Sequence, residues 1–123
     1  MREILFRGKS LFGDDWVEGE VLSVPSLDQY GIRPKQELAA HRIVKQETIG
    51  QFTGLTDKNG IKSFEGDIVE NNECIGIVEY SEEDAMYTVL FGETLYDFGW
   101  VSARKCEVIG NIHDNPELLE GGA

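Results

Sequence analysis

The sequence predicts a mainly-β protein, and three observations carry that prediction. Apolar and polar residues alternate with a period of two at the start of the chain, as at Ile4-Leu5-Phe6-Arg7 and Trp16-Val17-Glu18-Gly19-Glu20-Val21. Five short apolar segments follow one another closely after residue 66, with Gly, Asn and Asp between them. The stretch from Thr48 to Val69 joins these two regions and is dense in glycine: Gly50, Gly54, Gly60 and Gly66. Such punctuation prescribes a fixed backbone path.

The elements follow in order. Glu3 to Lys9 and Trp16 to Ser23 read as two strands of one hairpin, joined through Gly13-Asp14-Asp15. Gly19 in mid-strand predicts a bulge or a close packing neighbour. Val24 to Pro34 is fragmented by Pro25, Gly31 and Pro34 and takes no element. Pro34 to Ala40 suits one or two helical turns with Pro34 in the first turn. His41 to Lys45 suits a strand, and Gln46 to Ile49 a turn or a single helical turn.

Asp57-Lys58-Asn59-Gly60 reads as a type I turn with Gly60 in the left-handed region, closing a hairpin or tight loop between Gln51–Thr53 and Ile61–Phe64. A calcium loop is excluded there. With Asp57 and Asn59 at its third and fifth positions, its first and twelfth would be Leu55 and Gly66, which offer no ligand. Asp67–Glu70, Ile75–Tyr80, Met86–Phe91, Trp100–Ala103 and Cys106–Gly110 then read as five strands of a small SH3-like barrel, with Gly92 to Gly99 as a loop. Asn115-Pro116-Glu117 starts a closing helical turn. The expected organisation is a hairpin region with its connecting segment at 1–62, the SH3-like barrel at 63–120 and a disordered tail at 121–123.

With 123 residues the chain can build a core without disulfides. No apolar run reaches membrane-spanning length, and Met1 to Arg7 lacks the apolar core of a signal peptide, so a cytoplasmic protein is expected. Cys74 and Cys106, far apart and without CxxC spacing, are expected as free thiols. The formal net charge is −12, unevenly spread. Residues 1–62 hold nine basic and nine acidic residues, whereas residues 63–123 set only Arg104 and Lys105 against fourteen acids. That field repels phosphate backbones and argues against direct nucleic-acid binding. It suits a solvated acidic face or a basic partner.

No motif specifies catalysis, a metal or a cofactor. Cys74 or Cys106 with His41 or His113 are the available thiol–imidazole pairs, and nothing in the sequence orients a base toward either thiol. His113 and Asp114 are adjacent but have no further ligand nearby. The glycines lack the lysine–serine pair of a phosphate loop. Tyr87, Phe91, Tyr96, Phe98 and Trp100, with the acidic loop Glu82-Glu83-Asp84, are candidates for a groove that binds an extended basic peptide. The competing reading places Tyr87, Phe91 and Trp100 in the core.

Three segments carry a resemblance: Ile4 to Lys9 followed by Trp16 to Gly19; Ile49 to Val69; and Val108 to Leu119. Together they resemble the YopX family, small proteins of phages and prophages in low-GC Gram-positive bacteria. The residues of its structural signature here are Gly54, Asp57, Asn59, Gly60, Glu65, Gly66, Asp67, Gly110, Asn111, Asn115 and Pro116. The resemblance implies a mostly-β protein of phage origin acting in the bacterial cytoplasm, with no activity to transfer. The function expected is a non-enzymatic interaction or assembly module. The alternative is an acidic nucleic-acid mimic that blocks a DNA-binding host protein. Self-association through the charge-balanced N-terminal half is also expected, because it sets basic residues against the acidic half of another copy.

Overall fold

A computed structural model describes residues 3–24, 29–34 and 41–120. The chain divides into two compact units, residues 1–52 and 53–123. Both are built from antiparallel strands, so the protein is mainly β.

The first unit holds β1 (Phe6–Lys9), β2 (Trp16–Val24), β3 (Gln29–Pro34), β4 (Arg42–Val44), a 3₁₀ turn at Gln46–Thr48 and the first residues of β5 (Gly50–Thr56). Its sheet order is β4-β3-β2-β1-β5. The expected hairpin forms, with Arg7 opposite Glu18 and Lys9 opposite Trp16. Val17, Ile32 and Val44 make the buried centre, joined by Val21, Tyr30 and Ile49. The Arg7 guanidinium lies 4.7 Å from the centre of the Trp16 ring, a cation–π contact. Gly19 has the close neighbour its position predicts: a Cβ there would collide with the Arg33 carbonyl of β3. Thr48 ties the 3₁₀ turn down, since its Oγ1 donates to the Lys45 carbonyl (2.6 Å) and accepts from the Lys9 N–H (2.8 Å). The fragmented segment ahead of Pro34 nonetheless ends in a strand. β3 pairs with both β2 and β4, so cross-strand bonding overrides the local breakers. The helical turn expected over Pro34 to Ala40 falls mostly on residues 35–40, outside the described residues.

The second unit begins within β5 and holds β6 (Lys62–Phe64), β7 (Asp67–Asn71), β8 (Cys74–Ser81), β9 (Met86–Phe91), β10 (Thr94–Asp97), α1 (Trp100–Lys105), β11 (Glu107–Asn111) and α2 (Glu117–Glu120). β5 pairs with β6, and a five-stranded sheet runs in the order β10-β9-β8-β7-β11. The sheet is open. β10 and β11 stand at opposite edges and do not pair, so the strands do not close into the expected SH3-like barrel. The core lies on one face, where Val69, Val78 and Val89 meet Phe98, Ala103 and Cys106.

Two elements differ from expectation. Trp100–Ala103 is the start of a helix rather than a strand. Ser102 Oγ accepts the Gly99 N–H (2.8 Å) and donates to the Asp97 carbonyl (2.9 Å), which stabilises a helical first turn. Ala103 and Cys106, three apart, are then both buried against the sheet. The aromatic and β-branched start at Trp100-Val101 suggests a strand, and this packing outweighs it. Thr94–Asp97, expected as loop, is a strand paired with β9 through a two-residue turn, with Phe91 opposite Thr94. Gly92 supplies the positive φ (+63°) that such a turn needs at its first central position.

The Asp57-Lys58-Asn59-Gly60 turn forms as expected. The Gly60 N–H donates to the Asp57 carbonyl (3.0 Å), and Gly60 has φ +79°. The Asp57 side chain is buried and saturated with donors. Its Oδ1 accepts the N–H groups of Asn59 (2.8 Å) and Ile61 (2.9 Å), and its Oδ2 accepts the Val108 N–H of β11 (2.9 Å). The Lys58 N–H donates to the Cys106 carbonyl beside it (3.0 Å).

Replacing Asp57 by alanine strands three N–H donors, and should cost roughly 3 kcal/mol in urea unfolding. Gly60→Val forces a β-branched residue into the left-handed region, and should cost about 1–2 kcal/mol. An unchanged urea midpoint in either variant would contradict the turn's role.

Candidate functional site

The rest of the structural signature forms three polar turns in the second unit. Thr53 and Ser63 join β5 to β6 through their hydroxyls (2.7 Å), and the fully buried Ser63 Oγ donates to the Leu55 carbonyl (2.8 Å). Gly54 and Gly66 both have φ +88°. Between β6 and β7, across Glu65 and Gly66, the buried Asp67 accepts the Phe64 N–H on Oδ2 (2.7 Å). After β11, which includes Gly110, Asn111 Oδ1 accepts the N–H groups of His113 (3.0 Å) and Asp114 (2.9 Å). Asn115 Oδ1 accepts the Asn111 N–H (3.3 Å), and the Leu119 N–H donates to the Pro116 carbonyl (3.1 Å) to begin α2. Asn59 extends the Asp57 turn by donating from Nδ2 to Glu107 (3.4 Å). Apart from the Asn59–Glu107 and Thr53–Ser63 pairs, these side-chain contacts run to backbone groups and shape the chain path.

The larger feature is an open groove of about 820 Å³ on the core face of the five-stranded sheet. Val89, Phe91 and Tyr96 make its apolar wall, and α1 with the following Cys106 makes the opposite side. Asn71 at the end of β7 and Asn72 in the β7–β8 turn also line it. Asp97 and Lys105 are its charged residues. Phe91 and Tyr96 brace each other edge to face, ring centres 6.0 Å apart. Tyr96 is 53% exposed, and Leu95 beside it 54%. Lining of this kind, mostly apolar with a few polar groups at the rim, is what binding clefts use.

The groove divides the candidate aromatics. Tyr96 lines it. Tyr87 shares the sheet face but packs edge to face on Tyr80 (5.1 Å) nearer the other end of β9. Phe98 is buried in the core. Glu82, Glu83 and Asp84 form the β8–β9 turn at that far end, held by Ser81 Oγ accepting the Asp84 N–H (3.2 Å). The structure therefore does not gather Tyr96 with the acidic loop. Phe91, one of the candidate groove aromatics, lines it, whereas Asn71, Asn72, Cys74 and Lys105 were missed as groove residues. The available signal was Phe91-Gly92-Glu93-Thr94, two β-formers around a hairpin turn.

Both cysteines are free thiols, Cys74 exposed and Cys106 buried. Burial, and then the nearby Asp57 carboxylate, push the Cys106 thiol above its ordinary range. That opposes the thiolate a nucleophile needs. Among the described residues, no three His, Cys or carboxylate side chains gather as a metal site, and no helix is long and apolar enough to cross a membrane.

The fold and groove define a two-unit, antiparallel β protein with an open cleft on its second unit. The chain belongs to the YopX family, whose model, described as "YopX protein", matches residues 5–120. Among solved structures it is similar to protein EF1440 from Enterococcus faecalis, at 26% identity and TM-score 0.64, covering 97% of this chain and 99% of that one. No curated protein matches it.

A thiol reagent should label Cys74 in the native protein and Cys106 only on unfolding; equal native rates would contradict the burial. A thiol whose pKa is raised by folding stabilises the protein fully below the unfolded value, and the contribution is lost as pH climbs above it. The stability advantage of wild type over Cys106→Ala should therefore shrink above about pH 8.5, read by urea unfolding across pH.

Proposed function

We propose that this YopX-family chain is a phage- or prophage-encoded, non-enzymatic protein-interaction or assembly module of the bacterial cytoplasm, and that its second unit holds a partner segment in the groove. The observation that carries this reading is the groove itself, with an apolar wall ending in the exposed Tyr96. It is open to solvent, which suits a stretch of chain more than an enclosed small molecule. SH3 domains dock extended segments in aromatic-lined grooves, and the groove here offers accessible aromatics of that kind.

The charge supports a basic partner. Residues 53–123 carry fifteen acidic against four basic residues, a formal −11. Affinity capture from bacterial lysate with wild type and Tyr96→Ser tests the reading. Tyr96 is half exposed, so the variant should fold normally while losing about tenfold or more of a bound partner. Partners kept by Tyr96→Ser and released only by salt would instead indicate diffuse acidic capture, as a nucleic-acid mimic would give. The charge-balanced first half supports self-association as a further part of the proposal. Sedimentation velocity should show a salt-sensitive oligomer; a monomer at every ionic strength and at high concentration would remove it.

A further inference from the structure

The two edges of the five-stranded sheet are treated differently. At β11 the Asp57 carboxylate takes the outward Val108 N–H, the Lys58 N–H takes the Cys106 carbonyl just ahead of the strand, and the register shifts between Val108 and Gly110. Such side-chain capping and bulging block further strand addition. At β10 one outward group, the Asp97 carbonyl, is capped by a side chain, Ser102, and the strand has no bulge. Its sequence, Thr94-Leu95-Tyr96-Asp97, holds no lysine or proline, its pairing with β9 has no register shift, and all four residues are exposed.

The register shows which backbone groups stay open. Thr94 flanks the two-residue turn opposite Phe91, so that pair exchanges hydrogen bonds, as Tyr96 does with Val89 two residues on. The Phe98 N–H continues the pattern by donating to the Tyr87 carbonyl (3.0 Å). The peptide groups of Leu95 and Asp97 therefore point away from the sheet. Ser102 Oγ occupies the Asp97 carbonyl (2.9 Å). The N–H and C=O of Leu95 and the N–H of Asp97 are left facing outward, directly beside the groove.

We propose that β10 accepts an extended, basic peptide as a sixth strand, hydrogen-bonded through Leu95 and sending alternate side chains into the groove beside Tyr96. This rests on the interaction-module reading above and names the partner's chemistry. The peptide residue opposite Leu95 is apolar, because Leu95 presents a largely exposed side chain there. Its neighbours on either side are apolar as well, facing the groove wall of Phe91 and Tyr96. The residues two away fall opposite Glu93 and Asp97, both exposed carboxylates, and are basic. Lys105 is the cation of the groove, but it lies on α1 and not on the strand edge. The same register excludes a second copy of this chain. An antiparallel β10 pair centred on Leu95 would set Glu93 of each copy against Asp97 of the other, between two units of formal charge −11.

The probe is the peptide Ser-Lys-Val-Val-Val-Lys-Ser, titrated into the full chain to about 1 mM and read by amide chemical shifts. It should shift Leu95, Tyr96, Asp97 and Phe91 saturably. Replacing both lysines by glutamate, or N-methylating the central valine, should weaken binding at least tenfold. Leu95→Pro should do the same, because the N–H it removes faces outward and serves no bond within the sheet. Equal binding by the N-methylated peptide overturns strand addition while leaving the groove reading standing. A parent peptide that moves neither β10 nor groove amides overturns it too, and the Tyr96→Ser capture experiment then judges the interaction-module reading separately.

Discussion

The second unit depends on one buried carboxylate. Asp57 lies in a tight turn, yet its side chain is 3% exposed and accepts three backbone N–H groups. Two come from its own turn and one from β11, fifty-one residues away. A charge is tolerable so deep only when donors surround it, because an unmatched buried carboxylate is far costlier than the net gain from any one hydrogen bond. The constraint acts both ways. The turn must present Asn59 and Ile61 correctly, which requires the left-handed Gly60, and β11 must run where its Val108 N–H meets Oδ2. One residue thus couples a local turn to a long-range strand placement.

The same device recurs through Asp67 and Asn111, each buried and each accepting backbone N–H groups of its own turn. The polar residues of the signature thus serve the chain path. Carboxylates and amides at catalytic sites leave acceptor capacity facing a cleft. Asp57 and Asn111 instead spend theirs on the backbone. The groove lies among residues outside the signature, on β8, β9, β10 and α1.

Much of the fold was legible because it is written in local signals. The β1–β2 hairpin follows from period-two alternation, the Asp57 turn from Asp-Lys-Asn-Gly, and the close neighbour of Gly19 from a glycine in mid-strand. What was not legible depends on contacts distant in sequence or on surfaces without a hydrophobic pattern. β10 is exposed throughout, so it shows no alternation between a core side and a water side, and only its turn marks it. α1 begins with strand-like residues, and its helical form rests on the Ser102 hydroxyl and on the burial of Ala103 and Cys106. Barrel closure could not be read either, because strand count and spacing do not say whether the first and last strands meet. The groove was half legible. Its aromatic character was visible in Tyr96, but its walls come from a strand and a helix whose states the sequence misstates.

The contrast between the two sheet edges ties these points together. An antiparallel sheet that fails to close keeps two rows of outward backbone groups, and each must be satisfied by water, a side chain or another strand. β11 is satisfied from within the chain, by a residue whose burial the whole unit maintains. β10 is left to water at Leu95, although the exposed Leu95 and Tyr96 side chains make that edge apolar on both faces. Protecting one edge at the expense of a buried charge while leaving the other open is a costly asymmetry for a structure that needs only to be soluble. It is a consistent one for a structure whose open edge is meant to be completed by another chain.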